Sequence, residues 1–201
     1  LFLLIGVVAG LAGAIWARAL YAAVCRRNRL KRRQRAAVAA FAGLALAALG
    51  WATEGQALGT GRAEIENQLF GSSGPAGAMG VAARLLGSFV SFVSGGAGGI
   101  FAPALSSGAM LASALGPLAA ESSTKLVIVL GMVAFLTGVT RTPFTSFVLV
   151  LEMTDRHSAL FPMMVAAMAA HAAGHLIDPR SFYERVRDDL MANHAARREG
   201  L

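Results

Sequence analysis

Charge is scarce in this chain. Asp, Glu, Lys and Arg together make up 14% of its 201 residues, against about 25% in ordinary soluble domains. That shortage excludes a conventional water-exposed surface. With 56% hydrophobic residues and a mean hydropathy of +0.60, the composition points to several membrane passes rather than one large soluble core. Cysteine is nearly absent: the single Cys25 cannot close an internal disulfide and reads as a reduced thiol with no special role. The chain also lacks a His-Glu-x-x-His motif and any plausible Ser/Lys or Asp/Asp pair in its apolar runs, which argues against an intramembrane enzyme. Gly71-Ser72-Ser73-Gly74-Pro75 has no following Lys-Ser/Thr, so it reads as a flexible turn and not as a phosphate-binding loop.

What is present is apolar sequence in pieces. Residues 1–25 are apolar apart from Arg18, residues 36–53 carry no charge, and 126–140 and 159–177 are similar, with His171 and His175 as their titratable groups. A perpendicular span needs roughly 20 apolar residues, so several pieces are short, as in transporters whose helices stop near the midplane. The chain opens at Leu1 inside an apolar run, with neither an initiator Met nor a basic flank. It therefore reads as part of a longer protein and not as a signal peptide. The net charge of +7 is local: Arg26, Arg27, Arg29, Lys31, Arg32, Arg33 and Arg35 fall within ten residues. Between two apolar spans such a block marks a cytoplasmic loop, with lipid headgroups as an additional partner and no nucleic acid.

That loop orients the rest. Span one (about 1–25) enters the cytoplasm and span two (about 36–52) returns outward. Residues 53–78 form a polar external connection, and 79–93 form a helix heading back in. Arg84 on that helix reads as a residue that snorkels or pairs structurally, with a place on an ion path as the alternative. Then Ser94-Gly95-Gly96-Ala97-Gly98-Gly99-Ile100-Phe101-Ala102-Pro103 breaks the apolar pattern. Irregular backbone at membrane depth is tolerated only where it is buried in protein or lines an aqueous cavity. A helix starting there, with Pro103 in its first turn, aims free N–H groups and a positive dipole end at that cavity, which suits an anion. The bland alternative is a glycine-rich helix contact. Further helices are expected at about 102–116, 125–139, 143–154 and 159–176, followed by a charged, amphipathic tail.

Several ordered motifs give the chain a resemblance. Gly98-Gly99-Ile100-Phe101-Ala102-Pro103, Gly131-Met132-Val133-Ala134, Arg141-Thr142-Pro143-Phe144-Thr145, Leu149-Val150-Leu151-Glu152-Met153-Thr154-Asp155, Phe161-Pro162-Met163-Met164 and Pro179-Arg180-Ser181-Phe182-Tyr183 are similar, in order and spacing, to the CLC family of chloride channels and chloride/proton antiporters. The resemblance implies an all-α, polytopic membrane protein with broken and re-entrant helices. It corresponds to the second of two inverted repeats (1–178) plus the final helix and cytoplasmic tail (179–201).

Carried over residue by residue, the backbone amides of Ile100 and Phe101 and the phenol of Tyr183 would hold an anion, with Gly98, Gly99, Ala102 and Pro103 shaping the site. The implied function is transport of chloride, or a related anion, without a cofactor, by a homodimer in a membrane, taken as a bacterial inner membrane. The family's gating glutamate and serine-bearing anion loop belong to the first repeat and are absent from these residues, so an upstream half is implied as a partner. Glu152 follows the family's leucine-glutamate-methionine-threonine pattern and reads as structural. His171 and His175, four apart, lack an evident third metal ligand and read as packing or subunit-contact residues. Helices 143–154 and 159–176 correspond to part of the family's dimer contact. Ala166, Ala167, Ala169, Ala170, Ala172, Ala173 and Gly174 suit close packing there. The alternative reading is a non-transporting membrane scaffold, or a partner half that needs another chain.

Overall fold

In the computed structural model, every residue other than 72–73, 97, 119–123 and 200–201 is described, and residues 118, 190 and 192–199 are described by backbone alone. Ser72, Ser73 and Ala97, which fall in two of the stretches singled out above, thus lie outside the described residues. The described residues form nine α-helices and no strand: α1 (Phe2–Asn28), α2 (Arg32–Ala52), α3 (Arg62–Phe70), α4 (Ala78–Ser94), α5 (Phe101–Leu115), α6 (Thr124–Thr140), α7 (Pro143–Thr154), α8 (Leu160–Ile177) and α9 (Phe182–Glu199). α1, α2 and the segment His157–Ile177 are long and apolar enough to cross a membrane, whereas α4 to α7 are apolar but shorter.

α6 is the centre of the molecule. It is apolar all round, and Val127–Thr140 are buried without interruption, as expected of a helix enclosed on every side. Its hydroxyls cost nothing there, because Thr137 and Thr140 donate back to the carbonyls of Val133 (2.8 Å) and Leu136 (2.9 Å). Around it pack α1, α5 and α8. In a lipid environment helices gain little from burying apolar surface and associate through close van der Waals approach. α1 and α6 achieve that approach at Gly10 and Gly138, where a Cβ on Gly138 would collide with the Gly10 carbonyl.

α2 starts four residues before the expected span, so Arg32, Arg33 and Arg35 belong to its first turn. α3 was not anticipated: the connection 53–78 contains a short helix whose Ile65 and Leu69, four apart, are buried against the core. Of the seven small residues of α8 expected to pack at a subunit contact, five are used inside the chain, whereas Ala169 is half-buried and Ala172 exposed. Ala166, Ala167, Ala170, Ala173 and Gly174 are buried within the chain, while Phe161, Met164, Met168 and Leu176 are exposed.

Two fastenings place α9. Asp178, buried just after α8, accepts from the Arg180 amide (3.1 Å) and pairs with Arg185. Further along, Asp189 accepts from the Tyr21 hydroxyl (2.7 Å) and from the Cys25 thiol (3.3 Å) on α1, and the Arg185 guanidinium lies over the Tyr21 ring at 5.2 Å.

Candidate anion site

The glycine-rich break begins where α4 ends. Gly95 closes that helix with φ +90°, a left-handed conformation that favours glycine. Its N–H bonds the Phe92 carbonyl at 3.1 Å. Gly98 and Gly99 serve another purpose. Neither has a positive φ, and a Cβ on either would meet open space. What their missing side chains leave is room beside the start of α5.

α5 opens at Phe101 with Ile100 as its cap residue, and no side chain caps it and no acidic residue occupies its first turn. The first N–H groups of a helix have no partner inside it, and Pro103 removes one of them without loss. The remaining donors keep the positive end of the helix dipole available to an anion. Ile100 is anchored in the core at 2% exposure, which fixes where that helix begins.

Beside this helix start lies a cavity of about 630 Å³. Gly98, Gly99, Phe101 and Pro103 line one side, and Ser88, Ser91 and Phe92 of α4 another, without an ionisable side chain in its wall. Binding an anion through neutral dipoles avoids the deep trap that a lysine or arginine would make, and conduction requires release as well as capture.

Arg84 stands behind this wall. Its side chain is 1% exposed and donates from Nε to Ser106 Oγ (2.7 Å), from Nη1 to the Leu58 carbonyl (2.9 Å) and from Nη2 to the Gly59 carbonyl (2.9 Å). It therefore neither snorkels nor reaches the cavity. It staples α4 to α5 and to the connection before α3.

Tyr183 arrives from the other end of the sequence. Ser181 and Glu184 form a reciprocal cap at the start of α9: the Ser181 amide donates to Glu184 Oε2 (2.7 Å) and the Glu184 amide to Ser181 Oγ (3.1 Å). That cap sets Tyr183 in the first turn of α9, with its ring centroid 6.2 Å from that of Phe101. The structure thus brings together the starts of α5 and α9, more than eighty residues apart in sequence. Phe101 lines the cavity and touches Tyr183, but Tyr183 is not itself part of the cavity wall. Desolvation holds its phenol pKa above the ordinary tyrosine value, so its O–H is intact at neutral pH and available as a neutral donor. Ser-x-x-Glu at 181–184 was a readable signal for this arrangement. The cavity was not readable, because its wall is assembled from residues scattered over four segments of the chain.

The other candidates fall away from this region. Glu152 is exposed on α7. His171 and His175 lie together on α8, ring centroids 6.1 Å apart, and no group of three potential metal ligands forms among the described residues.

Comparison with known proteins follows the same lines. Over 122 residues the chain is 34% identical to the H(+)/Cl(-) exchange transporter ClcA of Citrobacter koseri, a match covering 57% of this chain and 25% of that protein. The corresponding figures for the ClcA of Cronobacter sakazakii are 32% over 123 residues, 58% and 26%. Among solved structures, a slow cyanobacterial Cl-/H+ antiporter superposes with a TM-score of 0.79 at 22% identity, over 95% of this chain and 46% of that one. A CLC-type fluoride/proton antiporter gives 0.76 at 20% identity, over 90% and 46%. The fold is therefore that of these polytopic membrane proteins, and the chain spans less than half the length of each. A family model described as voltage gated chloride channel matches residues 1–175, and this chain belongs to that family.

Proposed function

We propose that this chain supplies one wall of an anion pathway through a membrane, as the second inverted repeat and final helix of a CLC-type transporter. The anion, chloride by preference, is held by the backbone amides of Ile100 and Phe101 and by the Tyr183 hydroxyl. Gly98, Gly99, Ala102 and Pro103 shape its seat. No cofactor and no covalent step enter this scheme: transport rests on dipoles that bind and release. The observation that carries the reading is the uncapped start of α5 beside an uncharged cavity, with the Phe101 ring against Tyr183.

The site is one-sided within this chain, which favours joint action with the missing repeat upstream over transport by residues 1–201 alone. Whether the complete protein exchanges protons or conducts passively depends on that repeat. The exposed apolar residues of α7 and α8 favour a homodimer contact there, and the bacterial source of the similar exchangers favours a bacterial inner membrane.

The test is calorimetric. Tyr183→Phe in the complete transporter is expected to weaken chloride binding by about tenfold, the loss of one hydrogen bond to a charged acceptor. Unchanged affinity would remove Tyr183 from the site. Reconstituted residues 1–201 should give no anion flux above that of empty vesicles; robust flux would show that the wall described here suffices.

A further inference from the structure

A second feature lies further along the same α2–α4 seam, towards the basic turn, and is lined by residues other than those of the anion cavity. Among the described residues, α2 is the least buried of the three helices long and apolar enough to cross a membrane, with Ala42 and Gly50 its buried positions. It stands beside α4 over an apolar groove of about 420 Å³. Ala37, Phe41 and Ala45 line one bank of the groove, and Phe89, Val90 and Val93 line the other. α2 runs away from the basic turn and α4 runs towards it, so Ala37 and Val93 mark the end of the groove nearest the basic residues.

That end is strongly cationic. Arg33 precedes Ala37 and Phe41 by one and two helical turns, so all three share a face, and all three are exposed. On the opposite bank, the Val93 carbonyl accepts from Arg27 Nη1 at 3.5 Å, and Arg27 Nε is buried without a hydrogen-bond partner. Arg35 is used internally, donating to the carbonyls of Leu30 (2.9 Å) and Asn28 (2.8 Å). Arg32 and Arg33 make no such side-chain bond among the described residues. Among the described residues, none of the seven cations between 26 and 35 is paired with a carboxylate.

We propose that this groove is a binding site for one anionic phospholipid. Its acyl chain lies between α2 and α4, and its phosphate sits among Arg27, Arg32 and Arg33. Charge complementarity selects the occupant. A neutral sterol or an apolar polypeptide would fill the groove and leave the cations unanswered. A soluble phosphate would answer the cations and leave the groove empty, with the packing contacts of its walls forfeited. The site also adjoins the last turn of α4, which leads directly into Gly95 and the glycine-rich break.

Native mass spectrometry of the complete transporter, offered dioleoyl phosphatidylglycerol or dioleoyl phosphatidylcholine, tests this. The wild type is expected to retain one phosphatidylglycerol per chain in preference to phosphatidylcholine. Arg32→Gln with Arg33→Gln should lower that preference by about thirtyfold, the loss expected for two cations at headgroup level. Ala45→Trp, which fills the groove, should abolish retention of both lipids. Equal retention in the wild type and the double variant would overturn the proposal, as would retention undisturbed by Ala45→Trp. Displacement of the lipid by millimolar inorganic phosphate would assign a free-phosphate site instead. Protection of a Val90→Cys thiol from maleimide in lipid-free detergent would show that polypeptide covers the groove, and would likewise overturn it.

Discussion

Arg84 carries a full positive charge into the interior and meets three neutral acceptors there, none of them a carboxylate. Burying an ion costs several kcal/mol unless its donors are satisfied, so the Leu58 and Gly59 carbonyls and Ser106 Oγ are what make this residue tolerable. The coupling runs both ways, because Arg84 ties the turn at Leu58 and Gly59 to α4 and α5. That turn is itself held by local hydrogen bonds such as Leu58 N–H to the Gly55 carbonyl (2.9 Å). Arg84→Met should orphan both carbonyls and destabilise the complete protein by about 3 kcal/mol, read as a lowered thermal midpoint in detergent. Arg84→Lys keeps the charge but loses the planar fork that serves two carbonyls at once, and should fall between the wild type and Met. A midpoint unchanged in Arg84→Met would mean the staple carries no stability. The apolar helix around Arg84 told that the residue must find partners. It did not tell which, because the acceptors are backbone carbonyls some 25 residues away, and backbone groups leave no mark in a sequence.

Helices, in contrast, were largely legible. Apolar runs bounded by Gly, Pro and basic residues gave α1, α2 and α4 to α8 to within a few residues, and Pro143 marked the start of α7. α3 was missed because Arg62, Glu64, Glu66, Asn67 and Gln68 outweigh its two buried aliphatics. The meeting of α5 and α9 came from likeness to a family and not from periodicity, since nothing local to Phe101 or Tyr183 names the other. Two predictions belong at this scale. Ser181→Ala removes the cap of α9 and should cost about 1 kcal/mol of helix-start stability. Because Tyr183 stands in that first turn, chloride affinity should fall several-fold with it, and full affinity by calorimetry would mean that other contacts hold the phenol. Gly138→Val forces α1 away from α6 where the backbones meet; overpacking of this kind costs about 1–3 kcal/mol or more. The check is the thermal midpoint, with Gly43→Val, at a position with open space around it, expected to leave it unchanged.

Two of the molecule's apolar exteriors differ in character. One is α2, which packs along α4 on one side and turns exposed Phe41, Leu44 and Trp51 outward, as suits a surface facing acyl chains. The other is built from α7 and α8, where Phe144 is 67% exposed, Phe161 72% and Met168 54%. Ala166 and Ala170 of α8 are turned inward against Gly6 and Gly10 of α1, so the outer surface is largely Phe and Met, closer to a protein interface, where those residues are enriched. If α7 and α8 meet a second copy, a charge at its centre is left unpaired and desolvated, whereas a charge on α2 can snorkel or draw in lipid headgroups. Met168→Arg in the complete transporter should therefore run as a monomer by light scattering in detergent, while Phe41→Arg stays a dimer. A dimer that survives Met168→Arg would place the subunit contact elsewhere and return this face to the lipid. Loss of the dimer in both variants would show only that either charge unfolds the protein, a result that circular dichroism of the same samples separates from dissociation.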